Sequence, residues 1–317
     1  MKMLVTGAAG FIGSNYVRRV LQTSDDHVTI LDALTYAGGV DTMADLVENP
    51  RVTFVKGDIA DREVVGEVMP GHDAVVHFAA ESHVDRSIVD PDAFIRTNCM
   101  GTNVLCDVAR QIELPRFLHV STDEVYGSRL EGSFVETDLL EPSSPYSASK
   151  AGSDLIALGY HTTFGLNVSV TRASNNYGPF QFPEKVIPLF VTNLFQGRSV
   201  PLYGDGSNVR DWLYVDDHCA AVDTVLRKGA AGEIYNVGGT AELSNVELTH
   251  RLIELCGADE SLIERVEDRL GHDQRYSISL DRIAELGWQP QMEIDEGLER
   301  TVAWYRDNED WWRSRRS

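Results

Sequence analysis

Along the first half of the chain, short apolar runs at residues 3–6, 28–32, 52–55, 74–78 and 117–121 alternate with amphipathic stretches of helical period, the first beginning at Phe11. Short continuous apolar runs separated by helices predict parallel strands covered on both faces, hence an α/β fold with a doubly wound parallel sheet. A helix over 146–164 and a strand over 168–172 continue the pattern. Over residues 175–217 the regularity lapses. Pro179, Pro183, Pro188 and Pro201, with interspersed Gly and Asn, predict mostly loop with short elements. Tyr177, Phe180, Phe182, Tyr203 and Trp212 in the same stretch argue against disorder. Helical patterns return at 246–256 and 296–312, and residues 311–317 read as a basic tail expected to fray. No internal repeat or low-complexity tract interrupts the chain.

Composition narrows the partners. The chain has 317 residues, 43% hydrophobic, with 49 acidic against 28 basic side chains and a formal net charge of −21. A polyanion such as nucleic acid is repelled by that charge at long range, although a phosphate-bearing small molecule can still enter a locally basic pocket. No apolar stretch approaches the roughly 20 residues that span a bilayer, and the first residues run directly into a strand without a leader pattern, so the expected location is the cytoplasm. Cys99, Cys106, Cys219 and Cys256 form no C-x-x-C pair and read as reduced thiols, with no metal site expected.

Two patterns carry chemistry. The run Gly7-Ala8-Ala9-Gly10-Phe11-Ile12-Gly13 sits between the first strand and the first helix, where glycines allow a tight turn and close approach of a pyrophosphate to the helix N-terminus. Its spacing is G-x-x-G-x-x-G. Asp32 closes the second strand 19 residues after Gly13, placed to accept hydrogen bonds from ribose hydroxyls and to repel a 2′-phosphate, which favours NAD over NADP in a Rossmann-type domain. Asp58 with Ile59 either flanks an adenine or caps the next helix. The second pattern is Tyr146 and Lys150, on one face of a helix, where the ammonium lowers the phenol's pKa and prepares a general base. Just before it, the fifth strand ends in Ser121-Thr122-Asp123-Glu124-Val125-Tyr126-Gly127. Thr122 can hold a hydroxyl undergoing oxidation. The adjacent carboxyls of Asp123 and Glu124 can divide into an acid and a base, the combination that elimination of water requires.

These motifs, together with Ala79-Ala80-Glu81-Ser82-His83-Val84-Asp85, Arg172-Ala173-Ser174-Asn175-Asn176-Tyr177-Gly178-Pro179 and Asn208-Val209-Arg210-Asp211-Trp212, resemble the dTDP-glucose 4,6-dehydratases, members of the extended short-chain dehydrogenase/reductase class, along nearly the whole chain. The resemblance implies a tightly held NAD and a homodimer formed through helices within 92–110 and 146–164. It implies oxidation at C4 by Tyr146, Thr122 and Lys150, removal of the C5 proton by Glu124, protonation of the departing C6 hydroxyl by Asp123, and hydride return to C6. It adds Ala79, Ala80, Ser82, Thr97 and Asn176 to the cofactor residues Gly7, Gly10, Phe11, Ile12, Gly13, Asp32, Asp58 and Ile59. It assigns His83, Asn175, Lys185, Leu189, Pro201, Tyr203, Arg210, Asn245, Arg269 and His272 to dTDP-glucose, within a smaller mixed α/β substrate domain over 175–317 that follows a dinucleotide domain over 1–174, with some later segments returning to the latter. Lys185, Arg210 and Arg269 are suitable donors to phosphate oxygens. Leu270 stands where the family usually has Pro, and Ser279 replaces an expected acidic residue; neither removes a donor. A 4-epimerase or a dehydratase of another nucleotide sugar would share Tyr146 and Lys150, and Asp123 with Glu124 speaks against the epimerase. A non-catalytic dinucleotide sensor would have lost one of Thr122, Tyr146 or Lys150, and all three are present.

Overall fold

The computed structural model describes residues 1–268 and 271–316, so Arg269 and Leu270 lie outside the described residues. Its main sheet is built from β1 (Lys2–Thr6), β2 (His27–Asp32), β3 (Val52–Lys56), β4 (Ala74–His77), β5 (Arg116–Thr122) and β6 (Val168–Ala173), and a late strand, β10 (Ile234–Val237), joins its edge. The order is β10-β6-β5-β4-β1-β2-β3, with every pairing parallel. This is the doubly wound sheet that the alternating pattern predicts. Alternate residues feed two cores. Met3 and Val5 of β1 pack with Tyr16 and Val20 of the helix Phe11–Thr23 and with Val222 and Val225 of the helix Val215–Lys228. On the opposite face, Leu4 and Phe117 pack with Leu105 and Val108 of the helix Thr102–Gln111 and Ala157 of the helix Pro145–Phe164. Because strand order reverses beside β1, a crevice opens at the carboxyl ends of β1 and β4.

Three further strands, β7 (Asn175–Tyr177), β9 (Val209–Tyr214) and β11 (Ala241–Ser244), form a mixed sheet in the order β11-β9-β7, while β8 (Val200–Tyr203) pairs in parallel with β12 (Ile263–Val266). A third core joins them to the helices Val186–Phe195, Asn245–Cys256 and Ile294–Asp307 through Phe190, Leu194, Leu252, Leu298 and Tyr305.

The expectation of mostly loop over 175–217 is corrected by a ten-residue helix, Val186–Phe195, and three strands. Pro188 occupies the third position of that helix, where a missing N–H breaks no intrahelical bond. The fraying tail is also corrected. Trp312 is buried and donates Nε1–H to the Tyr305 carbonyl, the Arg315 guanidinium grips the Asp41 carboxylate and lies 4.0 Å over the Trp311 ring, and Arg316 donates to Thr192 Oγ1. The last helical pattern breaks at Asn308, between Ile294–Asp307 and Glu309–Arg313.

Candidate active site

At the crevice lies a cleft of ≈ 490 Å³, lined from β1 by Gly7, Gly10, Phe11, Ile12 and Gly13 and from the neighbouring strand ends by Asp32, Asp58, Ile59, Ala79, Ala80, Ser82, Thr122, Asp123 and Glu124. Gly7 has φ +75, and a Cβ there would stand 2.5 Å from the Ala79 nitrogen; a Cβ on Gly13 would stand 2.6 Å from the Gly7 carbonyl oxygen. The turn is therefore packed too tightly for any side chain. The helix it opens, Phe11–Thr23, has no side-chain cap at its N-terminus, leaving backbone N–H groups for an anion. Asp32 accepts from the backbone N–H groups of Ala9 at 2.9 Å and Leu34 at 2.8 Å. It thus fixes the glycine turn while its carboxylate borders the cleft. Burial raises its pKa and the two N–H bonds pull it down.

Asp58 is not the helix cap: Asp61 caps Arg62–Val68, and Asp58 instead accepts from Ala60 N–H at 2.8 Å and pairs with Arg96 at 2.6 Å on the cleft wall. Thr97 lines the same wall from a π-helical segment, Ile95–Gly101, within which Asn98 binds both backbone groups of Glu81 and the Ser149 hydroxyl. Asn98 gave no signal in the sequence.

The chemical residues meet at the end of β5. Ser144 and Ser147 form a capping box, with Pro145 at the first position, and this sets the start of the helix Pro145–Phe164 so that Tyr146 falls in its first turn and Lys150 one turn later. Thr122 caps the short 3₁₀ turn Asp123–Tyr126 by accepting from Glu124 N–H at 3.3 Å. Tyr126 anchors the turn, donating to Asn236 Oδ1 at 2.8 Å. Asp123 is buried. Burial, then the charges of Glu124 and Asp211, hold its carboxyl well above the usual range, and among the described residues its Oδ2 has no hydrogen-bond partner. Lys150 Nζ donates to the Val120 carbonyl at 2.9 Å, and burial pushes its pKa down to about 8 against the pull of Asp154. The expected lowering of the Tyr146 phenol is not seen in the protein alone. Burial and the Glu124 charge raise it, and the hydrogen bond with Thr122 acts in the opposite sense.

Of the residues matched to substrate, Asn175 and Lys185 line the cleft, and Lys185 Nζ donates to the Ser82 carbonyl at 2.7 Å. His83 borders the same mouth, its Nε2 3.9 Å from Glu184. Leu189 packs into the third core. The others gather around the segment following the undescribed residues. Tyr203, two residues after Pro201 on β8, meets the His272 ring edge-on at 6.2 Å. Arg210 donates to the Asp273 carbonyl at 2.9 Å and lies 4.2 Å over the Tyr276 ring, while Asn245 N–H binds the Asn208 carbonyl at 2.9 Å. This group abuts the acid pair, since Arg210 acts electrostatically on Asp123 and Glu124 acts on Tyr276. The cofactor wall includes a residue that sequence reasoning missed, His218, whose Nδ1 lies 2.8 Å from Asn176 Oδ1 and which burial keeps neutral, with a pKa of about 3. It belongs to the helix Val215–Lys228, which begins inside the stretch that reads as loop, so no helical face pointed to it.

The chain matches the family model described as GDP-mannose 4,6 dehydratase over residues 4–301. It is 54% identical over 319 residues to a dTDP-glucose 4,6-dehydratase of Streptomyces antibioticus, covering 98% of this chain and 94% of the relative. Identity is 51% to a low-salt glycan biosynthesis protein of Haloferax volcanii, covering 98% of this chain and all of that one (100%). The fold superimposes with a TM-score of 0.98 and 53% identity on DesIV, a dTDP-glucose 4,6-dehydratase of Streptomyces venezuelae with NAD and TYD bound, over 99% of this chain and 100% of that one. This chain therefore belongs to the family that the GDP-mannose 4,6-dehydratase model describes, and within it to the dTDP-glucose 4,6-dehydratases.

Proposed function

We propose that the protein is an NAD-dependent hydro-lyase that converts dTDP-glucose to dTDP-4-keto-6-deoxyglucose. The observation that carries this reading is the acid pair at the end of β5: a buried Asp123, its carboxyl pushed well above the usual range, next to Glu124 and beside Thr122, Tyr146 and Lys150. An epimerase has no use for such a proton donor. The tight glycine turn, the uncapped helix and the anionic Asp32 fit NAD and disfavour a 2′-phosphate. Bound there, NAD supplies the hydride acceptor and donor together with a cationic ring.

The chain's own residues supply the proton transfers. Tyr146 takes the C4 hydroxyl proton, with Thr122 holding that hydroxyl. Lys150, with one ammonium hydrogen on the Val120 carbonyl, keeps two for the cofactor side and for electrostatic support of the tyrosinate. The C4 ketone makes the C5 proton acidic, Glu124 removes it, and Asp123 passes its proton to the departing C6 hydroxyl, which leaves as water; return to C6 of the hydride taken from C4, with a proton returned to C5, completes the product. Residues 1–174, with β10 and the helix Val215–Lys228, would hold the dinucleotide, and most of 175–317 the nucleotide sugar. Gly7, Gly10, Phe11, Ile12, Gly13, Asp32, Asp58, Ile59, Ala79, Ala80, Ser82, Thr97 and Asn176 would face NAD. His83, Asn175, Lys185, Leu189, Pro201, Tyr203, Arg210, Asn245, Arg269 and His272 would face dTDP-glucose. Lys185 and Arg210 supply cationic donors suited to its diphosphate. Among the described residues no helix is long and apolar enough to cross a membrane. We further propose a cytoplasmic homodimer; Leu155, exposed on the helix Pro145–Phe164, and Met100, exposed on the π-helical segment, are apolar side chains it could bury.

The test is a single turnover of Glu124→Gln with dTDP-glucose. The reading expects reduced nicotinamide to accumulate on the enzyme because oxidation proceeds and elimination stalls. An unchanged overall rate would remove Glu124 from its role as base.

A further inference from the structure

Behind Lys150, away from the cleft, a group of charged and titratable side chains is sealed in the core with no part in the proton transfers above. Asp154 follows Lys150 by one helical turn and projects from the same face of the helix Pro145–Phe164. It is fully buried. Its Oδ2 accepts from Arg172 Nε of β6 at 2.9 Å, and its Oδ1 lies 3.3 Å from His119 Nε2 of β5. Lys150 itself is tied to the Val120 carbonyl, and Ser153 Oγ lies 3.0 Å from His119 Nε2. Two consecutive residues of β5, His119 and Val120, are thus stitched to one turn of the catalytic helix, and Thr122 follows two residues later on the same strand.

The groups facing Lys150 come from every element packed around it. Its own helix gives Tyr146 and Asp154, β5 gives His119, β4 gives His77, and the π-helical segment gives Cys99. Burial, with Lys150 adding to it, keeps both histidines neutral, and burial keeps the Cys99 thiol protonated. Burial also pushes the Asp154 carboxyl up, but His119 and the Arg172 guanidinium outweigh it and keep the group ionised. Among these described residues, Asp154 carries the negative charge. A buried carboxylate is costly to desolvate, and here it is paired with the Arg172 guanidinium rather than replaced by an apolar side chain.

We infer that Asp154 is a positioning residue for Lys150: it keeps the ammonium charged and sets the height of the catalytic helix against β5, so that Tyr146 and Lys150 stand beside Thr122. The inference rests on the proposed reading only for what Lys150 does, not for how it is held.

The chain contains five lysines, so lysine isotope-labelled at Cε gives a resolvable NMR titration in the NAD-bound protein, with Lys150 assigned through Lys150→Arg. In Asp154→Asn, the Lys150 midpoint should fall by about one pH unit or more, a tenfold change in its ionisation constant. The alkaline limb of kcat with dTDP-glucose should move with it, while KM stays unchanged, and Asp154→Glu should restore both. A purely structural role would lower kcat at every pH without moving the midpoint. If the single variant fails to fold because Arg172 is stranded, the double variant Asp154→Asn/Arg172→Gln removes the stranded cation and should lower the midpoint in the same direction by a smaller amount, since a cation is lost with the anion. A wild-type midpoint in either folded variant, or failure of both to fold, overturns the inference. The titration needs no substrate, so wild-type protein that bound NAD yet left dTDP-glucose unchanged would refute the activity and leave this result standing.

Discussion

Asp123 concentrates the chemistry in one side chain and places a stability cost there. Burial and neighbouring negative charge raise its carboxyl pKa well above the usual range, so the folded state binds that proton more tightly than the unfolded chain does. The unfolded state therefore carries fewer protons as pH rises above the ordinary carboxyl range, and this group's contribution to stability falls as pH climbs toward its raised pKa. Asp123→Asn removes the ionisable group while keeping its shape. It should raise the melting temperature at neutral pH and flatten the pH dependence of stability, at the same time lowering dehydration by about 100-fold or more, the usual scale for a lost general acid. Thermal melts across pH with parallel assays check this; a melting temperature below that of the wild type at neutral pH would contradict it. The candidate site was readable in the sequence because Thr122, Asp123, Glu124, Tyr146 and Lys150 sit in two short local motifs, and the fold brings them to one cleft. Asp154 was not, although its place one turn beyond Lys150 was available to the same helical argument. Its partners His119 and Arg172 come from two strands whose pairing only the fold supplies.

The glycine turn shows which element-scale features a linear pattern can reveal. Its spacing was visible in the sequence, but its need for glycine at the first position comes from the segment leaving β4, where the Phe78–Ala79 backbone closes against it. Gly7→Ala should cost about 1–3 kcal/mol for the positive φ alone and more for the clash, with loss of NAD retention preceding loss of fold. Co-purified NAD and denaturant melts measured together check it, and full NAD content in a folded variant would contradict it. The helix Val186–Phe195 and the docked tail escaped sequence reading for opposite reasons. Pro188 reads as a breaker until its position in the first turn is known, and the basic residues of the tail conceal how much they bind. Trp312 is the anchor of that tail in the third core. Trp312→Ala should lower stability by about 3–5 kcal/mol in equilibrium unfolding, where a surface tail would show almost no change.

At the scale of the whole molecule, the doubly wound sheet follows from the run of buried strands, whereas the joining of β10 to the edge of that sheet and of the helix Val215–Lys228 to its core depends on long-range packing that no local pattern encodes. The charge balance acts on the molecule as a whole. Its 49 acidic side chains exceed its 28 basic ones, and the 21 uncompensated negative charges repel one another in the compact state. Added potassium chloride weakens the surface ion pairs as well, but with this imbalance screening of repulsion dominates, so the melting temperature should rise between low and molar salt. A fall would show that the ion pairs outweigh the net charge. The central claim, dehydration of dTDP-glucose, is tested most directly by incubating the purified protein with dTDP-glucose and with UDP-glucose, without added reductant, and weighing the nucleotide-sugar products. The account predicts a product lighter by one water from dTDP-glucose and little change in UDP-glucose. An isobaric product would identify an epimerase and contradict the roles given to Asp123 and Glu124.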